Sequence, residues 1–387
     1  MQLNEESHPY LFTYDTNNPE NRPTVSNTYL YTKKDVVDYD FWFCQFSDHN
    51  SFKIYPIDTL IDAETLERVK NKDAYLVLDN ANECFYSSVD GIYQHVVIEK
   101  GIPASQVILV SGGYDIADYV RKLASQIGQE CIKVEWFIGQ ELSVCHQIGV
   151  NGKNFVGKTL EKKPYPKKFL NFNRRWRLHR PAMLALLYER DLIKDGYVSF
   201  DKDDFGKSWE ETWGSIEHYY RPFPEMYERL VKGYNVKDLL PLYVDTNDLV
   251  TNRAFIEDSA DAFYLDTYFS LVSETTYSTQ HGADGRFLTE KIFKSIAMAH
   301  PFIMIAPPYS LDLLRSLGYK TFEGIINESY DQELNDGNRM LKIVDEVHRL
   351  CNLSDTEFER FLTEARGICE HNYNVLVKKE KFIYRTL

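Results

Sequence analysis

Short apolar runs alternate with amphipathic stretches along most of this chain. "AYLVLDN" (Ala74 to Asn80) and "QVILVSGG" (Gln106 to Gly113) are apolar runs that end in polar or glycine residues, as buried strands do. "SVDGIYQHVVIEKGI" and "YDIADYVRKLASQIG" have helical spacing, and "IKVEWFIG" reads as a further strand. Nearer the start, "YLYTKK" and "YDFWFCQF" are strand-like. The pattern then restarts. "KFLNF" and "GYVSF" are strands, and "PAMLALLYERDLI" between them is a helix with Pro181 in its first turn. "YFSLVSET" is a strand, and "RFLTEKIFKSIAMAHPFIMIAPP" (Arg286 to Pro308) is a short amphipathic helix running into a strand. "SLDLLRSLGYKTF" repeats helix then strand, and two long helices, around "QELNDGNRMLKIVDEVHRL" and "SDTEFERFLTEARGICEHNYNVLVKK", end the pattern. Such alternation predicts an α/β fold with parallel, doubly wound sheets.

The two series of elements are separated by "NGKNFVGKTLEKKPYPKK", which carries glycines, prolines and lysines and reads as a linker. The expected organisation is therefore an α/β domain over 1–152, a linker over 153–168, a second α/β domain over 169–350, and terminal helices over 351–387 that can pack back toward the first domain. With 387 residues, the chain has the length of two ordinary domains.

Composition narrows the class. A formal net charge of −14 argues against a surface built to coat nucleic acid. No apolar run approaches the ~18 residues of a membrane helix, and the first residues have neither the basic nor the apolar segment of a secretory signal. The six cysteines are scattered without a CxxC pair, so neither a zinc knuckle nor a disulfide framework is indicated. The expectation is a cytoplasmic protein, in a host cytoplasm if the source is viral.

Two constellations carry candidate chemistry. In "FLNFNRRWRLHRP", Arg174, Arg175, Arg177 and Arg180 crowd the turn between a strand and a helix, just after Asn173. Guanidinium forks at a helix N-terminus make a phosphate site; a solvated basic loop is the structural alternative. His179 is either a ligand contact or a first-turn residue. In "SLVSETTYSTQHGADGRFLTEKIFK", a strand ends at Glu274, a polar loop follows, and Thr289-Glu290-Lys291 opens a helix whose buried face is Ile292, Phe293, Ile296 and Ala297. A carboxylate at a sheet's carboxyl edge can accept both hydroxyls of a ribose, and the adjacent ammonium can neutralise a diphosphate. The alternative is an ordinary helix start, with Glu290 pairing Lys294 one turn on.

Taken together, these two segments resemble the GT-B glycosyltransferases, most closely the α-1,3-fucosyltransferase type. That type has an Asn-rich turn with an Arg at the next helix, then "F-E-N-S…D-Y-I-T-E-K" and a helix ending in "P-V-V". The counterparts here are "LNFNRRWRLHR" and "LVSETTYSTQHGADGRFLTEKIFKSIAMAHPFIMI". "SET" stands in place of "FENS", and Arg286-Phe287-Leu288 in place of the Asp-Tyr-Ile run. The C-terminal pattern is also similar to glycosyltransferases encoded by bacteriophages. The resemblance covers the C-terminal half. It implies a GT-B type fold of two Rossmann-like domains facing across a cleft and a metal-independent hexosyl- or pentosyltransferase. The donor would be a UDP- or GDP-sugar, with no prosthetic group. It places Glu274 near the sugar or base with Thr289 and Asn173, Glu290 on the ribose, and Lys291 with the arginines on the diphosphate.

An inverting reaction, one of two stereochemical outcomes that the sequence leaves open, would need a carboxylate base from the first half. Asp79 and Glu83 in "LDNANECF" are the candidates, with turn and helix-cap roles as the alternative. "FDKDDFG" supplies Asp201, Asp203 and Asp204, either acidic turn residues or holders of a divalent cation. Between Lys153 and Arg180 there are ten Lys or Arg against one acid, Glu161. The acceptor is accordingly a glycan or, in a phage DNA-modifying enzyme, a hydroxymethylated base in DNA. A non-catalytic nucleotide-binding scaffold and a different α/β enzyme, such as a sugar-nucleotide epimerase, are the readings from other classes.

Overall fold

The strand-forming runs and amphipathic helices assemble, in a computed structural model, as an α/β fold with two parallel sheets. The structure describes residues 10–12, 29–31, 40–44, 63–80, 83–84, 86–151, 155–161, 164–173, 175–204, 206–244, 258–278 and 285–379. The chain divides into two units. Unit 1 comprises Met1–Ser143, Gln280–Leu288 and Lys379–Leu387, and unit 2 comprises Val144–Thr279 and Thr289–Lys378.

In unit 1, β1 (Tyr10–Phe12) and β2 (Tyr29–Tyr31) form an antiparallel pair. Four strands, β3 (Asp40–Cys44), β4 (Ala74–Asn80), β5 (Val107–Ser111) and β6 (Lys133–Trp136), lie parallel and side by side in chain order. The helices are α1 (Ala63–Lys70), α2 (Ser87–Gly91), which continues as a π-helix over Ile92–Glu99, and α3 (Ile116–Ile127). α4 (Gly139–Asn151) carries the chain past the unit boundary. β5 is buried along its whole length, which explains its uninterrupted apolar sequence. α3 buries Ile116, Val120 and Ala124, one residue per turn, and stops at Gly128. That glycine takes a left-handed conformation (φ 68°), and its N–H bonds the last carbonyls. Phe287 belongs to the same core, and Arg286 beside it grips Asp115 through two side-chain hydrogen bonds of 2.6 and 3.0 Å.

Unit 2 is built on β7 (Phe169–Phe172), β8 (Gly196–Ser199), β9 (Phe269–Ser273) and β10 (Phe302–Ile305), all parallel, in the order β10-β9-β7-β8. Its helices are α5 (His179–Glu189), α6 (Trp209–Tyr220), α7 (Pro224–Gly233), α8 (Asp258–Leu265), α9 (Glu290–Ala297), α10 (Ser310–Ser316), α11 (Asp336–Cys351) and α12 (Asp355–Lys378). From β7 the chain winds outward to β8, then returns across β7 to build β9 and β10 on the other side. The order reverses between β7 and β9, and a reversal of this kind opens a crevice at the carboxyl ends of the strands. The ladders agree with this. β7 pairs β8 through four residues but pairs β9 only at Phe169↔Phe269 and Leu170↔Ser270. Beyond that point the Asn171 side chain, not the backbone, spans the gap, donating to the Leu271 carbonyl at 2.6 Å.

Some expectations differ from the structure. No strand follows α10 in the "GYKTF" segment; Tyr319 and Phe322 are buried there as core side chains without a ladder. The described part of the 153–168 stretch buries Phe155, Thr159, Leu160 and Tyr165, with the Thr159 hydroxyl donating to the Ala299 carbonyl at 3.0 Å. α6 and α7 form in a stretch for which the hydrophobic pattern predicts no element. Their start does have a local signal. Ser208 and Glu211 close a capping box, with each side chain accepting the other's backbone N–H.

α7 approaches α5 closely because Gly233 has no side chain. A Cβ built there would lie 2.2 Å from the Ala185 carbonyl oxygen. Helix propensity alone favours alanine over glycine by about 1 kcal/mol, whereas overpacking a tight contact costs about 1–3 kcal/mol. With so short an approach the second effect prevails. Gly233→Ala should lower stability by about 1–2 kcal/mol in urea unfolding; a variant as stable as the parent would show that the two helices can separate freely.

Candidate functional site

The carboxyl end of β7 is polar and buried. Asn171 donates to Leu271 and to the Ser273 hydroxyl (3.2 Å), and its own carbonyl oxygen accepts from the Asn173 amide at 2.6 Å. Asn173 is thereby oriented, and its Oδ1 is buried with no hydrogen-bond partner among the described residues. The following turn is anchored by Trp176, whose ring packs 5.4 Å from Phe200 and 5.6 Å from Trp209. It delivers His179 and Arg180 to the start of α5, both buried. Arg180 donates to the carbonyls of Arg175 (3.0 Å), Ser273 (3.3 Å) and Glu274 (2.9 Å). Burial, then the neighbouring Arg177, lowers its pKa to about 10, so it stays cationic at neutral pH. His179 bonds the same Glu274 carbonyl at 2.9 Å. A carbonyl only accepts, so the ring carries its proton on Nε2. Burial, with Arg180 next to it, holds His179 well below the usual histidine range, and it is neutral.

The end of β9 meets the start of α9 at the same place. Glu274 has no exposed surface. One carboxylate oxygen accepts the Thr289 N–H at 3.2 Å and the other accepts the Thr289 hydroxyl. Thr289 is the N-cap of α9, its oxygen accepting the Lys291 N–H at 3.3 Å and the Lys291 ammonium at 3.2 Å. Lys291 Nζ also donates to Glu290 at 2.8 Å. Burial pushes the Glu274 carboxyl up, with Lys291 and Thr289 opposing. Burial works the same way on Glu290, but the ammonium groups of Lys291 and Lys294 overcome it and hold Glu290 down at about 2.

Asn173, Arg180, Glu274, Thr289, Glu290 and Lys291 therefore gather in unit 2 where β7 and β9 part, and Arg180 feels the charges of both Glu290 and Glu274. The other arginines divide. Arg175 pairs with Asp204 at 3.6 Å, and Arg177 is exposed; its carbonyl accepts the Arg180 N–H at 2.8 Å, while its guanidinium makes no hydrogen bond or ion pair among the described residues. Arg174 lies outside the described residues. Asp79 and Glu83 belong to unit 1, Asp79 within β4 and Glu83 just after it. Asp79 sits opposite Val110 in the β4–β5 ladder, with its side chain outside the described residues. The Glu83 carbonyl accepts the Gly112 N–H at 3.1 Å.

Asp203 caps a turn by accepting from Gly206 at 3.1 Å. Among the described residues, no group of three or more His, Cys, Asp or Glu is placed to hold a metal ion. Asn171 was legible only as one of two asparagines alternating at a strand end. Tyr277, Asp336 and Arg339, which pack behind the cluster, carried no signal in sequence.

No protein-family model matches the sequence, and no curated protein matches it. Among solved structures the chain is similar to the N-terminal domain of Candida albicans trehalose-6-phosphate phosphatase, with a TM-score of 0.38 and 11% identity over 83% of this chain and 67% of that one. It is similar also to an alpha,alpha-trehalose-phosphate synthase (UDP-forming) from Burkholderia vietnamiensis, with a TM-score of 0.36 and 11% identity over 81% and 69%. At that level of likeness, any account of the site rests on its own residues. No helix among the described residues is long and apolar enough to cross a membrane.

The depressed Glu290 has a measurable consequence. Its folded pKa of about 2 lies below the ordinary glutamate value, so its ionised form stabilises the fold above the ordinary value. That contribution is lost as pH falls toward the folded pKa. Glu290→Gln should cost about 1–2 kcal/mol near pH 7, and the gap to the parent should narrow steadily from about pH 5 down to about pH 2 in urea titrations. A gap independent of pH would mean that Glu290 is not held ionised by its lysines.

Proposed function

We propose that unit 2 binds a nucleoside diphosphate at its switch point, and that the chain is a glycosyltransferase of the GT-B type moving a sugar from a nucleotide-diphosphate sugar to an acceptor hydroxyl. One observation carries this reading. Arg180, Glu274, Glu290 and Lys291, from three separate segments, converge where the strand order reverses, the position at which open α/β sheets bind nucleotides.

The charges suit a diphosphate. Arg175, Arg177, Arg180, Lys291 and Lys294 outnumber Asp204, Glu274 and Glu290, leaving a positive surplus. Glu290, ionised at neutral pH, is an acceptor only and can take both ribose hydroxyls. Lys291, steadied by Thr289 and Glu290, is a point charge for the diphosphate oxygens. Arg177, whose guanidinium has no partner among the described residues, offers a fork. Arg180 does something else. Its terminal nitrogens are engaged by carbonyls, so it acts as a fixed positive charge. The open Oδ1 of Asn173 accepts from a ribose or base donor. As the bond from the sugar to the diphosphate breaks, negative charge builds on the leaving group, and fixed cations stabilise it there more than in the ground state.

Three described cations of the 153–180 stretch have other tasks. Lys168 lies over the rings of Phe358 (4.5 Å) and Tyr268 (5.3 Å), Lys167 donates to the Lys194 carbonyl, and Arg180 is buried. A glycan or other hydroxyl acceptor is the better fit.

The test is thermal unfolding with UDP-, GDP- and CMP-sugars, followed by mass spectrometry of acceptor pools. A ligand at a hundred times its dissociation constant stabilises by about 2.7 kcal/mol. Lys291→Ala should weaken binding about tenfold, or about 1.4 kcal/mol. No stabilisation by any sugar nucleotide would refute the proposal. Binding without any transferred sugar would leave a nucleotide-binding protein and remove the transferase.

A further inference from the structure

Behind the cluster lies an ion pair with almost no access to water. Asp336, first residue of α11, and Arg339 one turn on meet at 2.5 Å, with side-chain exposures of 0% and 1%. Replacing such a pair with apolar residues is often neutral or favourable, so stability alone does not explain its presence. What it supplies is direction. Arg339 donates to the Glu333 carbonyl at 2.8 Å and to the Tyr277 carbonyl at 2.7 Å, and its guanidinium lies 4.2 Å from the centre of the Tyr277 ring. The Tyr277 hydroxyl donates to the Asp336 carbonyl at 2.7 Å, and the Tyr219 hydroxyl donates to the second Asp336 oxygen. Tyr277 is thus fixed through its ring, its carbonyl and its hydroxyl. The same ring stacks on His179, with centroids 5.4 Å apart and planes at 25°. His179 in turn donates to the Glu274 carbonyl that Arg180 also holds.

We propose that the Arg339–Asp336 pair is a positioning device for the switch-point site, acting through Tyr277 and His179 on Glu274 and Arg180. Its consequence for ligand rests on the nucleotide-binding reading; its consequence for His179 does not. All members belong to unit 2, and they come from α5, the segment after β9 and α11. Among the described residues the pair makes no hydrogen bond or ion pair with the cluster's charged side chains, so its members set geometry and are positioning residues. A planar guanidinium can lie on a ring and reach several acceptors at once, which an ammonium cannot.

The experiment compares Tyr277→Leu, Tyr277→Phe and Arg339→Lys with the parent. Imidazole nitrogen NMR reads the His179 tautomer without ligand, calorimetry with UDP and GDP reads affinity, and urea unfolding verifies the fold. Tyr277→Phe keeps the ring and should retain the single Nε2–H tautomer. Tyr277→Leu and Arg339→Lys should release His179 into tautomer exchange and weaken nucleoside diphosphate binding about tenfold. If either folded variant kept both the tautomer and the affinity of the parent, the pair would be structural only and the proposal overturned. Should Tyr277→Leu fail to fold, Arg339→Lys decides on the same terms. If the parent binds neither nucleotide, the binding reading falls, and the His179 spectra still judge the positioning claim.

Discussion

Burying a carboxylate costs several kcal/mol unless its lone pairs find donors. Glu274 is such a carboxylate, and the carboxyl edge of the second sheet is arranged around it. Its side chain takes both donors of Thr289, which fixes the start of α9 against the end of β9. Its backbone carbonyl takes His179 and Arg180, which fixes the start of α5 against the same strand end. Two helices that enter the sheet from segments about a hundred residues apart are thereby registered to one residue. The parting of β7 from β9 leaves room for this, and Asn171 bridges what the backbone ladder does not.

The same arrangement separates structural charge from available charge. Arg180 sits beside Glu274 and is committed to carbonyls, and Glu274 is committed to Thr289. Both are therefore spoken for before any ligand arrives. Glu290, Lys291 and Arg177 are less buried and less committed. Such an arrangement keeps its mount rigid and leaves the outward charges where a ligand, on the proposed reading, would meet them, which is the condition for electrostatic preorganisation. His179 reinforces the mount in its neutral form. A cationic imidazole against Arg180 would repel it, and burial removes that form.

Much of this was legible in sequence, for identifiable reasons. Buried parallel strands such as β5 and β9 are uninterrupted apolar runs, and the Thr-Glu-Lys triplet is a strong helix start. The gathering of the Asn-Arg loop with that triplet was expected from their places at strand ends. The unequal fates of the arginines were not. Arg175, Arg177 and Arg180 look alike in a list, and only packing against Trp176 and the ends of β9 decides that one is buried, one paired and one exposed. Arg339 was illegible for a similar reason. In an amphipathic helix rich in charge, one more arginine reads as solvent-facing. Its burial depends on Asp336 and Tyr277 being present together, and Tyr277 lies some sixty residues away. Long-range pairing leaves no period in the sequence.

The choice of residue at position 289 shows how tightly cap and site are joined. Ser, Thr, Asp and Asn all cap helices well. Here the cap must also donate to a buried carboxylate while accepting from the helix. An aspartate would set a second carboxylate against Glu274, and the two could not both stay ionised in a dry setting. A hydroxyl accepts from the Lys291 N–H and gives its proton to Glu274 from a single oxygen. The same oxygen holds the Lys291 ammonium, so the group that starts the helix also aims the charge that the ligand would meet. α9 then transmits that aim to the core, because Ile292, Phe293 and Ile296 behind it are buried and cannot shift without opening a void.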